Sequence, residues 1–134
     1  MRNPFRRLAT VFGAGAFGGL ANSLAIWLAG LLGLTAAFGV KLAPALTPAW
    51  LYPRIVWGGL WGLLFLLPVR RLSPVAQGLL LSIGPTLVQL FVVFPYRTPA
   101  GTAGLGLGTL APVLVVLFNA IWGLAAAWWV RRAE

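Results

Sequence analysis

Thr47–Arg71 reads TPAWLYPRIVWGGLWGLLFLLPVRR, and its reading decides the fold. Wound as a helix at about 100° per residue, it brings Trp50, Arg54, Trp57 and Trp61 within roughly 60° of arc, one arginine in a row of three tryptophans. Gly58 and Gly62 lie beside that row and offer a smooth strip to a neighbouring helix. A cation among indole faces serves either as an interfacial anchor or as a site for something negatively charged. Thr47 followed by Pro48 reads as N-cap and first helical residue. Pro53 frees a backbone carbonyl one turn earlier, which predicts a kink. The uncharged run Ile55–Val69 has 15 residues, about 22 Å of helix against a hydrocarbon core of about 30 Å. The turn carrying Pro53 and Arg54 is therefore expected to enter the membrane, to be buried in protein, or to thin the lipid around it.

Outward from this stretch the same pattern recurs. Arg70 and Arg71 close the span, and Ser73-Pro74 repeats the cap-then-proline device after a very short loop, making the next helix an antiparallel neighbour. On that helix Gly78, Ser82, Pro85, Thr86 and Gln89 fall within about 100° of arc and form an inward stripe, while Leu79, Leu80, Ile83, Leu87 and Leu90 are expected to face lipid. Gly84-Pro85 predicts a kink or a broken turn. Towards the N-terminus, the apolar run Leu8–Leu32 has 25 residues, longer than the apolar segment of a signal peptide, and is expected to be a spanning helix. Gly15, Gly18, Gly19, Asn22, Ala25, Ala29 and Gly33 share one side of it and permit close helix approach. Asn22 on that face needs a partner. Towards the C-terminus, Pro112, Asn119, Gly123 and Ala126 share a face, and Trp128 and Trp129 meet Arg131 and Arg132 at an expected interface.

These signals predict an all-α integral membrane protein: a single transmembrane domain over residues 1–134, built as a four-transmembrane-helix bundle. The helices are expected at about 8–32, 48–69, 74–94 and 110–130, with outer loops at 33–47 and 95–109. The first loop is apolar with one charge, Lys41, and is expected to lie in the interface or cover the bundle mouth. Gly104, Gly106 and Gly108 in the second succeed no strand and lack the acid the motif places about 20 residues downstream, so a dinucleotide site is excluded and a mobile linker is expected.

Composition bounds the function. The chain is 60% hydrophobic and 8% charged, with ten basic residues, one acid and a net charge of +9. The basic residues flank apolar runs, which points to topology and anionic lipid rather than nucleic acid. With no Cys, no His and a single Met, no metal site, haem, disulfide or cofactor is expected. No acidic or imidazole group stands ready to activate a Ser, Thr, Tyr or Lys, so catalysis is not expected and no catalytic residue is assigned. Arg2, Arg6, Arg7, Arg70, Arg71, Arg131 and Arg132 fall on one side, against Lys41, Arg54 and Arg97 on the other. Both termini are thus expected to be cytoplasmic, and the expected location is a bacterial inner (plasma) membrane.

The inward stripes assemble a ligand-binding set of Arg54, Trp50, Trp57, Asn22, Ser82, Thr86, Gln89 and Asn119, with Arg54 at the outer mouth. Every member is neutral or positive, which suits a small anion or a neutral polar solute, bound or passively permeating. Gly15, Gly18, Gly19, Gly58, Gly62 and Gly123 are expected to pack helices and to let the protein self-associate as a homo-oligomer. The competing expectation is a non-transporting subunit of a larger membrane complex, or a lipid-binding membrane protein. Orientation is testable in this Cys-free chain: of Asn3→Cys, Leu72→Cys and Thr102→Cys, the last alone should be labelled by an impermeant thiol reagent added outside, and labelling of Leu72→Cys from outside would invert the topology.

Overall fold

The computed structural model describes residues 3–133, and every regular element among them is helical. Arg2 of the charge pattern lies outside the described residues. Helix α1 runs Pro4–Leu31 and begins earlier than expected, because the Asn3 side chain accepts from the N–H groups of Phe5 and Arg6 and Pro4 occupies the first turn. That is the device expected at Thr47-Pro48 and Ser73-Pro74, and all three operate. A short helix, α2 (Leu34–Ala37), succeeds it at Gly33, which lies beyond α1 in the left-handed region at φ 77° and so leaves the expected small-residue face.

The central stretch folds as α3 (Pro48–Trp61), continued by a 3-10 segment over Gly62–Leu66. Pro53 sits inside α3 without ending it. Pro68 does end the continuation: the residue before a proline is driven to extended backbone, and Leu67 adopts ψ 152°. The expected α-helix over 48–69 is therefore shorter, with 14 residues. Among the described residues three helices are long and apolar enough to cross a membrane: Pro4–Leu31, Pro74–Arg97 and Ala111–Ala133.

The second of these is segmented into α4 (Pro74–Leu81), α5 (Ile83–Val88), a π turn (Gln89–Val93) and α6 (Phe94–Arg97). Pro85 cannot donate to the carbonyl of Leu81, and the α pattern breaks at Ser82. Pro95 likewise cannot serve Phe91, and the preceding turn widens so that Phe94 N–H reaches the Gln89 carbonyl. Helix α7 (Ala111–Ala133) completes the bundle.

α1 is the hub, packing against both α3 and α7, while α4 packs on α7. Glycine makes these approaches possible. A methyl group on Gly58 would stand 2.7 Å from the Gly15 carbonyl oxygen and 2.8 Å from Gly19 Cα; on Gly62 it would meet the Val11 carbonyl. Gly18 lies equally close to the Trp122 backbone, and Gly78 faces Gly123 across α4 and α7. The six glycines assigned to packing do pack, but within one chain. The faces expected to join a second copy are already filled.

Large aliphatic side chains, including Leu79, Leu80, Ile83 and Leu87, stand exposed around the outside as expected, whereas Leu90 is buried. The two connections are folded against each other. Lys41 N–H donates to the Leu107 carbonyl (2.9 Å), and Val40 is buried with Ile26, Ala29, Ala111, Leu114 and Phe118. The glycine-rich loop is consequently not a free linker: Gly106 N–H donates to the Ala100 carbonyl (2.7 Å), and a side chain on Gly104 would collide with the Phe94 ring.

The seam predicts a contrast. Gly62→Val forces a branched side chain into backbone and should lower stability by about 1–3 kcal/mol. Gly33→Asn lies in open space at φ +77°, a conformation asparagine tolerates, and should shift the melting temperature little. Equal shifts in detergent would contradict close approach of α1 and α3.

Candidate functional site

Polar side chains from five helical segments meet in one network, and the chemistry of its first member orders the rest. A guanidinium has only donors. Arg54, on α3, donates from Nε to Ser23 Oγ (2.9 Å) and from Nη2 to Asn22 Oδ1 (2.8 Å), both on α1. Asn22 must therefore turn its amide nitrogen away from the arginine. That nitrogen donates to the Phe118 carbonyl (2.7 Å) and, at the longer distance of 3.4 Å, approaches Asn119 Oδ1 on α7. The Asn119 nitrogen in turn donates to Thr86 Oγ1 on α5 and to Gln89 Oε1 on the π turn, each at 3.1 Å. Every donor points away from Arg54, and the relay ends at the Gln89 amide nitrogen.

Each junction is well buried. Asn22, Ser23, Thr86 and Asn119 are all below a tenth exposed. No buried side-chain nitrogen or oxygen among the described residues lacks a hydrogen-bond partner, so the fully buried atoms of the network are satisfied internally. Thr86 both accepts from Asn119 and donates to the Ser82 carbonyl (2.7 Å).

Alongside the network lies a cavity of about 550 Å³ between α3 and the α5–π segment. Its polar lining is Asn22, Arg54, Gln89, Arg97 and Asn119. Trp57, Trp61, Val88, Val92 and Val93 supply much of the apolar wall. Beneath it, the Trp122 indole N–H is shared between the carbonyls of Gly15 (3.2 Å) and Gly58 (3.3 Å), tying α1 to α3 through α7. Further down, Val11, Ala14, Phe65, Leu81, Ala126 and Val130 fill the bundle. The cavity is a vestibule above a packed core.

Of the expected binding set, Arg54, Asn22, Thr86, Gln89 and Asn119 share the network, and all of these except Thr86 line the cavity. The tryptophans divide. Trp50 lies over the guanidinium, 4.8 Å from ring centroid to Arg54 Cζ, within cation–π range, whereas Trp57 is a wall of the cavity. Arg54 is thus stacked on one indole rather than clamped between two. Ser82 does not join: its hydroxyl donates to the Leu79 carbonyl of its own helix (2.8 Å), the usual escape for a serine inside a helix.

Ser23 and Arg97 are the members that periodicity missed. Ser23 neighbours Asn22 on the buried side of α1, and its signal was adjacency to an amide already known to need a partner. Arg97 was hidden by the π turn. In an unbroken α-helix it stands about 80° from Gln89; one extra residue taken into the turn sets the later residues back by roughly 100°, aligning the two side chains to within about 20°. Pro95 was the available signal, because it denies Phe91 its α-helical donor.

The described residues contain no Asp or Glu, since the single acid of the chain is Glu134. Two arginines therefore face one cavity with no carboxylate among the described residues to answer them. No protein-family model, curated protein or solved structure matches the chain.

The network predicts coupling between its amides. Asn119→Leu should cost about 1 kcal/mol, the scale of interhelical hydrogen bonds in membranes. The double variant with Asn22→Leu should cost less than the two single losses together, and strict additivity in detergent melts would contradict the relay.

Proposed function

We propose that this is a membrane-embedded binding protein whose vestibule holds a small anion or an anionic group. The observation that carries the proposal is the pairing of Arg54 and Arg97 on one cavity with no acidic side chain among the described residues. Arg54, half-buried, is a cation drawn from bulk water without a counter-charge, which is costly, and an anion held between it and the exposed Arg97 guanidinium offsets that cost with charge-assisted hydrogen bonds. The relay favours the same sign of ligand. It presents the Gln89 amide nitrogen and the unused N–H groups of Arg54, which are donors suited to oxyanions.

Four spans with both ends on the cytoplasmic side of a bacterial inner membrane remain our reading of the architecture. In its support, 14 residues of α-helix and five of 3-10 helix in the Pro48–Leu66 segment give about 31 Å of length, sufficient for a hydrocarbon core of about 30 Å. Binding is favoured over permeation because Trp122 and the core beneath it occupy the route a pore would take. The site works within one chain, so a homo-oligomer is not required for it. We assign no catalysis.

Arginine chemistry supplies the test. If Arg54 merely anchors α3 at an interface, Arg54→Lys retains the charge and should be silent. In the proposed site lysine lacks the planar fork that reaches Ser23 and Asn22 together, so Arg54→Lys should weaken binding at least tenfold and Arg54→Gln should abolish it. Thermal shift of the purified protein across halides, nitrate, sulfate and phosphate measures this. No response from the unmutated protein, with a silent Arg54→Lys, would leave a structural subunit of a larger complex as the better reading.

A further inference from the structure

The vestibule is built for more than a free ion. Its 550 Å³ exceeds by more than tenfold the roughly 30 Å³ that one water molecule claims, and falls within the range that holds organic ligands. Nor does it open only along the bundle axis. α3 is mounted on α1, while the α4–α6 helix is mounted on α7. Trp61 and Leu64 stand beside Gly84, where a methyl group would lie 3.5 Å from the Trp61 ring and 3.1 Å from Leu64 Cδ1. Above that level the cavity separates the two helices. Its sides there are Trp57 and Val92, which are 62% and 50% exposed, and Val56, Leu60, Leu87 and Phe91 on the same two helices also stand exposed.

The lining is of two chemical kinds. Arg54, Gln89 and Arg97 present donors, and Trp57, Val88 and Val92 present hydrocarbon. A hydrated inorganic ion gains nothing from the second set. A molecule with an anionic head and an alkyl tail uses both, its head on the guanidinium groups and its tail passing between α3 and the α5–π segment towards lipid.

We propose that the natural ligand of this vestibule is an anionic amphiphile, a phosphate- or phosphodiester-headed lipid that enters sideways from the bilayer between α3 and the π turn. This rests on the anion-site reading above and specifies the ligand for it.

The test is a homologous series: inorganic phosphate and butyl, hexyl and octyl phosphate. Binding to the purified full chain in a zwitterionic detergent is measured by thermal shift, with each probe below its own micelle concentration. The head is constant, so a site for free anions gives equal affinities along the series. The amphiphile site predicts a rise of up to about fourfold per buried methylene, the factor that corresponds to about 0.8 kcal/mol. Arg97→Gln, which removes no hydrogen bond that holds the fold, should weaken binding of every alkyl phosphate several-fold while leaving the rise per methylene in place, and Arg71→Gln at the opposite end of the chain's charge pattern should change neither. Arg54→Gln, if it folds, should abolish binding of every member of the series. Equal affinities along the series would overturn the amphiphile and leave the anion site standing. Affinities in Arg97→Gln equal to those of the unmutated protein along the whole series would mean partition into detergent and would also overturn it. Absence of binding by every probe would overturn both readings together.

Discussion

A guanidinium cannot accept a hydrogen bond, and in this protein that rule propagates across the bundle. Because Arg54 can only donate, Asn22 must offer it oxygen; Asn119 and Gln89 are then oriented in turn, until four helical segments are held in one alignment of amides. Without a carboxylate to absorb the charge locally, the cation polarises neutral groups in series. The ordering of the interior and the sign of its unused hydrogen-bonding capacity thus have a common origin.

Such a network needs backbones close enough for short side chains to meet. Glycine supplies the closeness. Gly15, Gly19, Gly58 and Gly62 let α1 and the α3–3-10 segment approach until a Cβ would not fit between their backbones, and Trp122 directs its N–H at two of the carbonyls so exposed. Lipid offers no hydrophobic drive for helices to associate, and backbone contact with interhelical hydrogen bonding takes its place. α1 carries both features on one face, which explains why it is the hub. The cavity exists because the opposite pair of neighbours, α3 and the α4–α6 helix, has no such seam.

Much of this is legible in the chain itself. A 3.6-residue period places Asn22, Thr86, Gln89 and Asn119 on inward stripes, and cap-then-proline pairs set helix starts. The illegible remainder has identifiable causes. Ser82 lies on the right face, yet a serine inside a helix can satisfy itself on its own backbone, and period alone does not reveal which choice it makes. Arg97 requires the extra residue in the π turn, which resets the angular count on which a helical wheel depends. The second helix is shortened because Pro68 acts on the residue before it. The glycine-rich loop reads as a linker because composition describes freedom, not the hydrogen bonds that remove it. Glycine faces are legible as packing surfaces, whereas the identity of their partners is not, since a small-residue stripe suits a helix of the same chain as well as one from another copy.

The relay has one more property, set by its membership alone. None of its side chains is a carboxylic acid, an imidazole or a thiol, the groups that ordinarily titrate between about pH 4 and pH 9. The vestibule is in this sense a fixed electrode. It holds none of the side chains whose charge ordinarily follows acidity near neutral pH. Whatever pH dependence an occupant displays there belongs to the occupant: a phosphodiester should bind uniformly, and a phosphomonoester should strengthen as its second proton leaves near about pH 6. The site would thereby report the ionisation of its occupant, a behaviour open to it because its chain carries neither histidine nor a membrane carboxylate.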